Sequence, residues 1–427
     1  MRVTYEDVVA AAERIAGGVI ETPCMPYEAL AERLGGPVYV KMDNLQRTGS
    51  FKERGARNAL LQLDESQRKI GVVAASAGNH ALGLALHGRE LGIPVTVVMP
   101  ASAPLVKRMT CVKYGANVVS CGQTFFEAYE KAQALSSEHG YAYIHGYDAP
   151  AIIAGQGTMG LEILAQVKAA EGRYPDAMVV PIGGGGLIAG IAAAVKHLSP
   201  ETKIYGIEPK RAATYAAAVE AGAPVHVDVK KTIADGLATP DVGGNAFDTA
   251  HGQIDGAYQV TEEALSLAVL RLMEREKTVV EGAGVAGVAA VLSELEPTLE
   301  PCGLPDLTDQ LIAIPLCGGN IDPAMIGRVI ERGLAADGRL VRFETTISDR
   351  PGGLAALAEA ISAAGGSVKD ILHDRAFATS DLASVDVRCV IETTGPEGAE
   401  ALYAQLADAG FEVRLMHGRP DFEAPGG

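Results

Sequence analysis

Short apolar and β-branched runs alternate with helical patterns from about residue 37 to 335. The runs PVYVKM (37–42), GVVAAS (71–76), PVTVVM (94–99), ANVVSC (116–121), AMVVPI (177–182), KIYGIE (203–208) and QLIAIPL (310–316) predict strands. Several are almost continuously apolar, as a parallel strand covered on both faces must be. Residues 78–91, 103–113, 124–139, 187–198 and 261–276 carry a helical period between them. This alternation predicts an α/β fold with mostly parallel sheets. Glycine-rich turns follow several strands, and it is there that open α/β sheets take ligands.

The pattern changes near residue 337. ADGRL (336–340) reads as a short linker, and strand-like, helical, strand-like, strand-like, helical and strand-like segments follow at 341–347, 352–364, 366–373, 384–392, 396–408 and 411–416. The order β-α-β-β-α-β is the ferredoxin-like α+β plan. The expected organisation is a catalytic domain over 1–335, with a smaller lobe at roughly 45–150, then a second domain over 338–418 and a tail over 419–427.

Composition narrows the function. The formal net charge of -17 and the lack of a basic run argue against a nucleic-acid surface. No apolar stretch reaches the roughly 20 residues that span a bilayer, so no membrane association is expected. The start, MRVTYEDVVAAAERIA, reads as an acidic amphipathic helix and not a signal peptide. Cys24, Cys111, Cys121, Cys302, Cys317 and Cys389 form no C-x-x-C pair and no Cys/His cluster with zinc spacing, so no metal site is expected. A reducing cytoplasm is the expected compartment.

Four strand-to-helix turns carry the candidate chemistry. Thr48-Gly49-Ser50-Phe51-Lys52 sets a lysine at a helix start, behind small residues that let backbone approach a ligand. Ser76-Ala77-Gly78-Asn79-His80 offers free N–H groups with hydroxyl and amide side chains, although a helix N-cap alone accounts for Ser76 or Asn79. Gly183-Gly184-Gly185-Gly186-Leu187 costs much backbone entropy for a mere turn, and its glycines can curl into a nest of donors around a phosphate. It lacks the lysine of a P-loop and the dinucleotide fingerprint. Leu316-Cys317-Gly318-Gly319-Asn320 brings a thiol to a fourth turn, where it either faces a heterocyclic nitrogen or packs as a small hydrophobe.

Taken in order, TGSFKERGA, SAGNHA, GGGGL and CGGN resemble the fold-type II pyridoxal-phosphate family, and within it the threonine and serine dehydratases, over roughly residues 5–330. The resemblance implies a two-lobed catalytic domain with Lys52 as covalent anchor of pyridoxal 5'-phosphate and as general base. It places Phe51 against the ring, Asn79 at the phenolic oxygen, Gly183, Gly184, Gly185, Gly186 and Leu187 at the phosphate, and Cys317 at the pyridine nitrogen, where many relatives have serine. Ser76, Ala77, Gly78 and His80 would lie near the substrate carboxylate, and Asp235 and Gly236 near its hydroxyl. The implied substrates are small hydroxy amino acids: threonine giving 2-oxobutanoate, and serine giving pyruvate. Threo-3-hydroxyaspartate dehydration, serine racemisation and a catalytically silent amino-acid sensor stand as alternatives. Ala77 occupies the place of a serine that racemases use as a second acid–base, which favours a lyase. Glu53 departs from the apolar residue many relatives carry, either as a solvated side chain or as a change at the pocket mouth. Glu208 and Ala212 match positions near a metal site in some relatives, but Thr214 stands where a carboxylate would be needed. Glu281 either neighbours the pyridine ring or serves a helix start.

Asp349-Arg350-Pro351-Gly352-Gly353-Leu354 resembles the ligand turn of ACT domains. That implies a regulatory amino-acid site at Asp349, Pro351, Gly352, Gly353 and Leu354, with isoleucine or valine as ligand, or a dimerisation module without one. A homodimer or homotetramer is expected.

Overall fold

The computed structural model describes residues 1–374 and 383–417. The chain divides into two compact units, Met1–Leu295 with Pro301–Ile326, and Glu296–Glu300 with the chain from Gly327 onward. The border falls inside the helix Pro323–Ala336, earlier than the linker expected at 336–340, because only Asp337 to Arg339 separate that unbroken helix from the strand Leu340–Ser348. The segment 419–427, expected as a tail, lies outside the described residues.

The first unit holds two sheets. One runs Cys24–Pro26, Val38–Lys41, Ile312–Pro315, Ala177–Pro181, Lys203–Pro209, Gly256–Val260; only its first strand is antiparallel to its neighbour. The other is wholly parallel, in the order Asn117–Ser120, Val95–Met99, Val72–Ala75, Ala142–Tyr143. Val38–Lys41, Val72–Ala75, Val95–Met99, Ala177–Pro181 and Ile312–Pro315 are buried at every position, which explains their unbroken apolar sequences. The helix expected at 261–276 is α-helical over Glu262–Arg271 and π-helical over Leu272–Glu276, ending at Lys277 with φ 55°.

Three helices meet behind the candidate turns. Lys52–Leu61, Pro150–Glu171 and Gly186–Leu198 pack backbone to backbone through two glycine contacts. A Cβ on Gly155 would stand 2.6 Å from Gly55 Cα, and one on Gly157 would stand 2.6 Å from the Gly190 carbonyl. Only glycine permits that approach.

The Lys52 helix is also held by charge. Arg54, fully buried, donates through Nε and Nη2 to Asp43 at 2.6 and 2.8 Å. It also donates through Nη1 and Nη2 to Glu162 at 2.5 and 2.9 Å, and through Nη1 to Thr158 Oγ1 at 3.1 Å. All five guanidinium N–H groups are thereby used. Lys41 Nζ, equally buried, meets Glu162 at 2.6 Å, the Thr22 carbonyl at 2.5 Å and Gln166 Oε1 at 3.1 Å. Two cations and two carboxylates thus balance away from water.

The second unit has the strands Leu340–Ser348, Ser367–Asp374, Ser384–Glu392 and Val413–His417, with helices Gly353–Ala363 and Pro396–Asp408. They form one antiparallel sheet in the order Ser367–Asp374, Ser384–Glu392, Leu340–Ser348, Val413–His417, a ferredoxin-like α+β unit. Its core is Val341, Phe343, Ile347, Leu357, Ile361, Val387, Leu402 and neighbours.

Arg54→Met removes a buried cation and leaves the fully buried Asp43 without its bidentate partner, while Lys41 keeps Glu162. It should cost about 3–5 kcal/mol, read by urea unfolding of the purified protein. A loss below about 1 kcal/mol would mean that these charges do not form a closed set.

Candidate active site

Lys52 opens its helix with Phe51 as N-cap. Its Nζ donates to the Gly146 carbonyl at 2.9 Å and lies 5.0 Å from the Phe51 ring centre. Burial pushes the amine down to about 8, against the smaller opposing pull of Cys317 and Glu281.

The TGSFK turn is laced to the CGGN turn. Phe51 N–H donates to the Cys317 carbonyl at 3.0 Å, and Gly319 N–H donates to the Gly49 carbonyl at 2.8 Å. Gly49 has φ +74°, and a Cβ there would sit 2.5 Å from Asn320 Oδ1. Cys317 is buried and donates to the Pro315 carbonyl at 3.6 Å, and burial raises its thiol well above the ordinary range. It is therefore a neutral thiol.

Asn79 begins the helix Asn79–Leu91. Its Nδ2 donates to Glu281 Oε1 at 2.6 Å, and its Oδ1 accepts from Asn320 Nδ2 at 2.9 Å. Glu281 is raised to about 7, mainly by burial and next by Asp235, while Lys107, Asn79 and Lys52 pull the other way. Glu281 therefore faces Asn79 and, through its own N–H, the Gly318 carbonyl at 2.9 Å. His80 is buried: Nε2 lies 3.3 Å from the Ile144 carbonyl, Nδ1 has no partner among the described residues, and burial lowers the ring to about 3. It stays neutral at every working pH. Ser76 Oγ accepts from Gly78 N–H at 3.3 Å.

The glycine loop caps the helix Gly186–Leu198 with Gly185 at φ +87°. The N–H groups of Gly183, Gly184 and Gly185 donate to no acceptor among the described residues. A Cβ on Gly184 would strike the Tyr147 ring, one on Gly186 the Tyr147 carbonyl, and one on Gly183 would stand 3.0 Å from Leu237 Cα. Gly236 belongs to that wall, with its carbonyl 3.3 Å from the same added Cβ on Gly183. Asp235 is exposed, and its carboxylate lies 3.8 Å from Lys107 Nζ.

One of the two alternatives for Glu53 falls, and Glu208 gains a structural partner. Glu53 is not a solvated side chain: it is fully buried, accepts the Thr48 N–H and faces His87 Nε2 at 3.2 Å. Glu208 is committed to the start of the helix Thr214–Ala221, accepting from the N–H groups of Tyr215 and Ala216 at 2.6 and 3.0 Å. The turn His145-Gly146-Tyr147-Asp148, which joins Lys52 to the glycine loop, was not among the sequence candidates. Its signal was the same as theirs: a strand, then a turn with glycine, then Pro150 at the start of a helix. Asn320 stood in a quoted motif without a role.

In the second unit Gly352, at φ +100°, caps the helix Gly353–Ala363, and Gly353 N–H donates to the Arg350 carbonyl at 3.1 Å. Asp349 N–H donates to the Ala383 carbonyl at 2.9 Å, and Leu354 is exposed.

An amine at a helix start, a glycine nest and a clamped amide, all at the carboxyl ends of parallel strands, define a site for a phosphorylated carbonyl cofactor. Residues 15–301 match the pyridoxal-phosphate dependent enzyme family, and the chain belongs to it. The L-threonine ammonia-lyase of Thermotoga maritima is 40% identical over 97% of this chain and 100% of its own length. The L-threo-3-hydroxyaspartate ammonia-lyase of Saccharomyces cerevisiae is 39% identical over 75% of this chain and 94% of its own. Among solved structures, processed threonine deaminase isoform 2 of Solanum lycopersicum aligns with a TM-score of 0.70 and 35% identity, covering 77% of this chain and 91% of that one.

The residues present fit pyridoxal 5'-phosphate. The nest offers three unclaimed amides where a side chain would block entry, and Thr48 Oγ1 and Ser50 Oγ are buried beside Lys52 without partners.

An amine lowered from 10.5 to about 8 is half neutral near pH 8. Acylation of Lys52 in the cofactor-free protein should therefore rise with pH through about 8 and level off above it, followed by peptide mass spectrometry. A midpoint near that of an ordinary lysine would show that the amine is solvated.

Proposed function

We propose that this chain converts L-threonine to 2-oxobutanoate and ammonia, and L-serine to pyruvate and ammonia. The water eliminated in the first stage is taken up again when ammonia is released. The observation that carries the reading is a buried amine at Lys52, lowered to about 8 and held by the Gly146 carbonyl, next to Tyr147, which borders the glycine loop.

Gly183 to Gly186 with Leu187 would hold the phosphate, Asn79 the phenolic oxygen, Cys317 the ring nitrogen and Phe51 the ring face, with Lys52 as covalent anchor. Pyridoxal phosphate bound there supplies the electron sink that makes the substrate Cα–H acidic. Lys52 Nζ, as a free amine, would take the substrate Cα proton; an amine titrating near the working pH suits that role. Cys317 is a neutral thiol and, unlike a carboxylate, does not hold a proton on the ring nitrogen, which favours elimination over transamination. The N-terminus of the Asn79 helix, with Ser76, Ala77, Gly78 and His80, receives the substrate carboxylate. Gly236, with Asp235 beside it, bounds the space for the β-hydroxyl.

Ala77 offers no hydroxyl as a second acid–base, which speaks against racemisation. The hydroxyaspartate relative aligns with 75% of the chain, whereas the T. maritima threonine ammonia-lyase aligns with 97%, second unit included. We assign that unit as an amino-acid-responsive or dimerising module with its ligand turn at Asp349, Pro351, Gly352, Gly353 and Leu354, and with isoleucine or valine as regulator. The assembly we propose is a homodimer or homotetramer acting in the cytoplasm. The six free cysteines suit a reducing compartment, and no described helix is long and apolar enough to cross a membrane.

Purified protein loaded with pyridoxal phosphate should release 2-oxobutanoate from L-threonine, and Lys52→Ala should abolish it. Release from L-threo-3-hydroxyaspartate alone would overturn the substrate assignment. Isoleucine or valine should shift the L-threonine saturation curve and give a measurable heat of binding. Unchanged kinetics and no heat across a panel of amino acids would leave dimerisation as the role of the second unit.

A further inference from the structure

We infer that Glu53 and His87 form a buried brace that positions Asn79 against Lys52; this rests on the cofactor roles proposed above for those two residues. Glu53 directly follows Lys52, and both brace side chains are fully buried. Glu53 Oε1 accepts the Thr48 N–H, while Oε2 faces His87 Nε2 at 3.2 Å and Arg47 Nε at 3.6 Å. Arg57 Nη1 lies 3.2 Å from His87 Nδ1 and 3.2 Å from Glu90 Oε2. Nδ1 also lies 3.5 Å from Glu90 Oε2, but the nearer Arg57 guanidinium only donates, which assigns Nδ1 as acceptor and the ring proton to Nε2, aimed at Glu53.

The other side of Thr48 continues the chain of contacts. Its carbonyl accepts from Asn320 Nδ2 at 2.6 Å, and the same Nδ2 donates to Asn79 Oδ1 at 2.9 Å. Asn79 and His87 belong to one helix, Asn79–Leu91. The contacts therefore close a ring: Thr48 to Glu53, Glu53 to His87, along the helix to Asn79, through Asn320, and back to Thr48. The helix is tied to the lysine turn at its first residue and again two turns later.

A buried carboxylate is a poor choice for packing alone, since an apolar residue of similar volume is often as stable or more so. What the carboxylate adds is direction: it fixes one peptide N–H of the turn and one imidazole of the helix at the same time. Glu53 and His87 touch no reacting atom, so they are positioning residues.

Glu53→Leu, Glu53→Gln, His87→Leu and the Glu53→Leu/His87→Leu double variant test this, each assayed beside the wild type. The readouts are the dissociation constant and visible absorbance of bound pyridoxal phosphate, kcat and KM for L-threonine, and Tm. Glu53→Leu should lower kcat by about 10–100-fold with KM changed by less than about threefold, the pattern of a misplaced reacting geometry. It should also shift the absorbance of the bound cofactor. Glu53→Gln should recover only part of the loss, because its amide oxygen still accepts the Thr48 N–H while its NH2 group meets the Nε2 proton of His87. The double variant should be no worse than the poorer single one, as for two residues acting as one unit. Wild-type kcat and absorbance in Glu53→Leu, whatever its Tm, would overturn the brace, as would single losses that multiply in the double variant. If Glu53→Leu does not fold, Glu53→Gln and His87→Leu carry the test: a lowered kcat with a shifted absorbance in both supports the brace, and no kinetic or spectral change in either overturns it. A wild-type protein that neither binds pyridoxal phosphate nor deaminates L-threonine overturns the underlying reading, and the brace with it.

Discussion

The distance between Lys52 and the glycine loop is set by backbone, not by side chains. The Lys52 helix touches Pro150–Glu171 at Gly55 and Gly155, and that helix touches Gly186–Leu198 at Gly157 and Gly190. A contact between main chains cannot be retuned by changing a rotamer. The middle helix thus acts as a spacer of fixed thickness, with Lys52 on one side and the glycine loop on the other. The strand-to-helix turns hang from this frame, and their hydrogen bonds finish the placement to fractions of an ångström.

Electrostatics follow from the same closeness. Helices packed this tightly admit little water, so every charge inside must be matched or neutralised. Arg54 and Lys41 are matched by Asp43 and Glu162. Lys52 and Glu281 are not matched in that way, and burial drives both toward their uncharged forms, at about 8 and about 7. The interior therefore keeps one set of charges paired within the frame, and another, Lys52 and Glu281, that burial pushes toward neutrality.

Much of this was legible in the sequence because parallel strands buried on both faces write themselves as plain apolar runs, and a cradle that excludes Cβ atoms writes itself as consecutive glycines. The helix Pro150–Glu171 was harder to see. It is buried nearly all round over Ile152–Gly160, so the stretch IIAGQGTMG has no polar stripe to reveal a period, and its glycines read as loop. Glu53 was visible as a charge but not as a buried one, since burial depends on His87, which is 34 residues away along the chain. Gly146 and Tyr147 escaped because their part in the site is a carbonyl and a ring face, and neither leaves a residue-type signature. The region of the domain border shows a related effect: an aspartate and a glycine at 337 and 338 mark the end of a helix, and packing groups the later part of that helix with the second unit.

The neutral state of Cys317 bears on chemical durability. Thiols are oxidised and alkylated as thiolates, and burial holds this one protonated far above physiological pH. Cys111 and Cys389 are buried as well, with thiols raised to about 12 and about 11. Burial raises the thiols of the half-buried Cys24 and Cys302 too, that of Cys24 to about 12. In the role proposed for Cys317, the sulfur beside the cofactor is kept in its least reactive form, and the thiols elsewhere in the chain that burial raises share that protection.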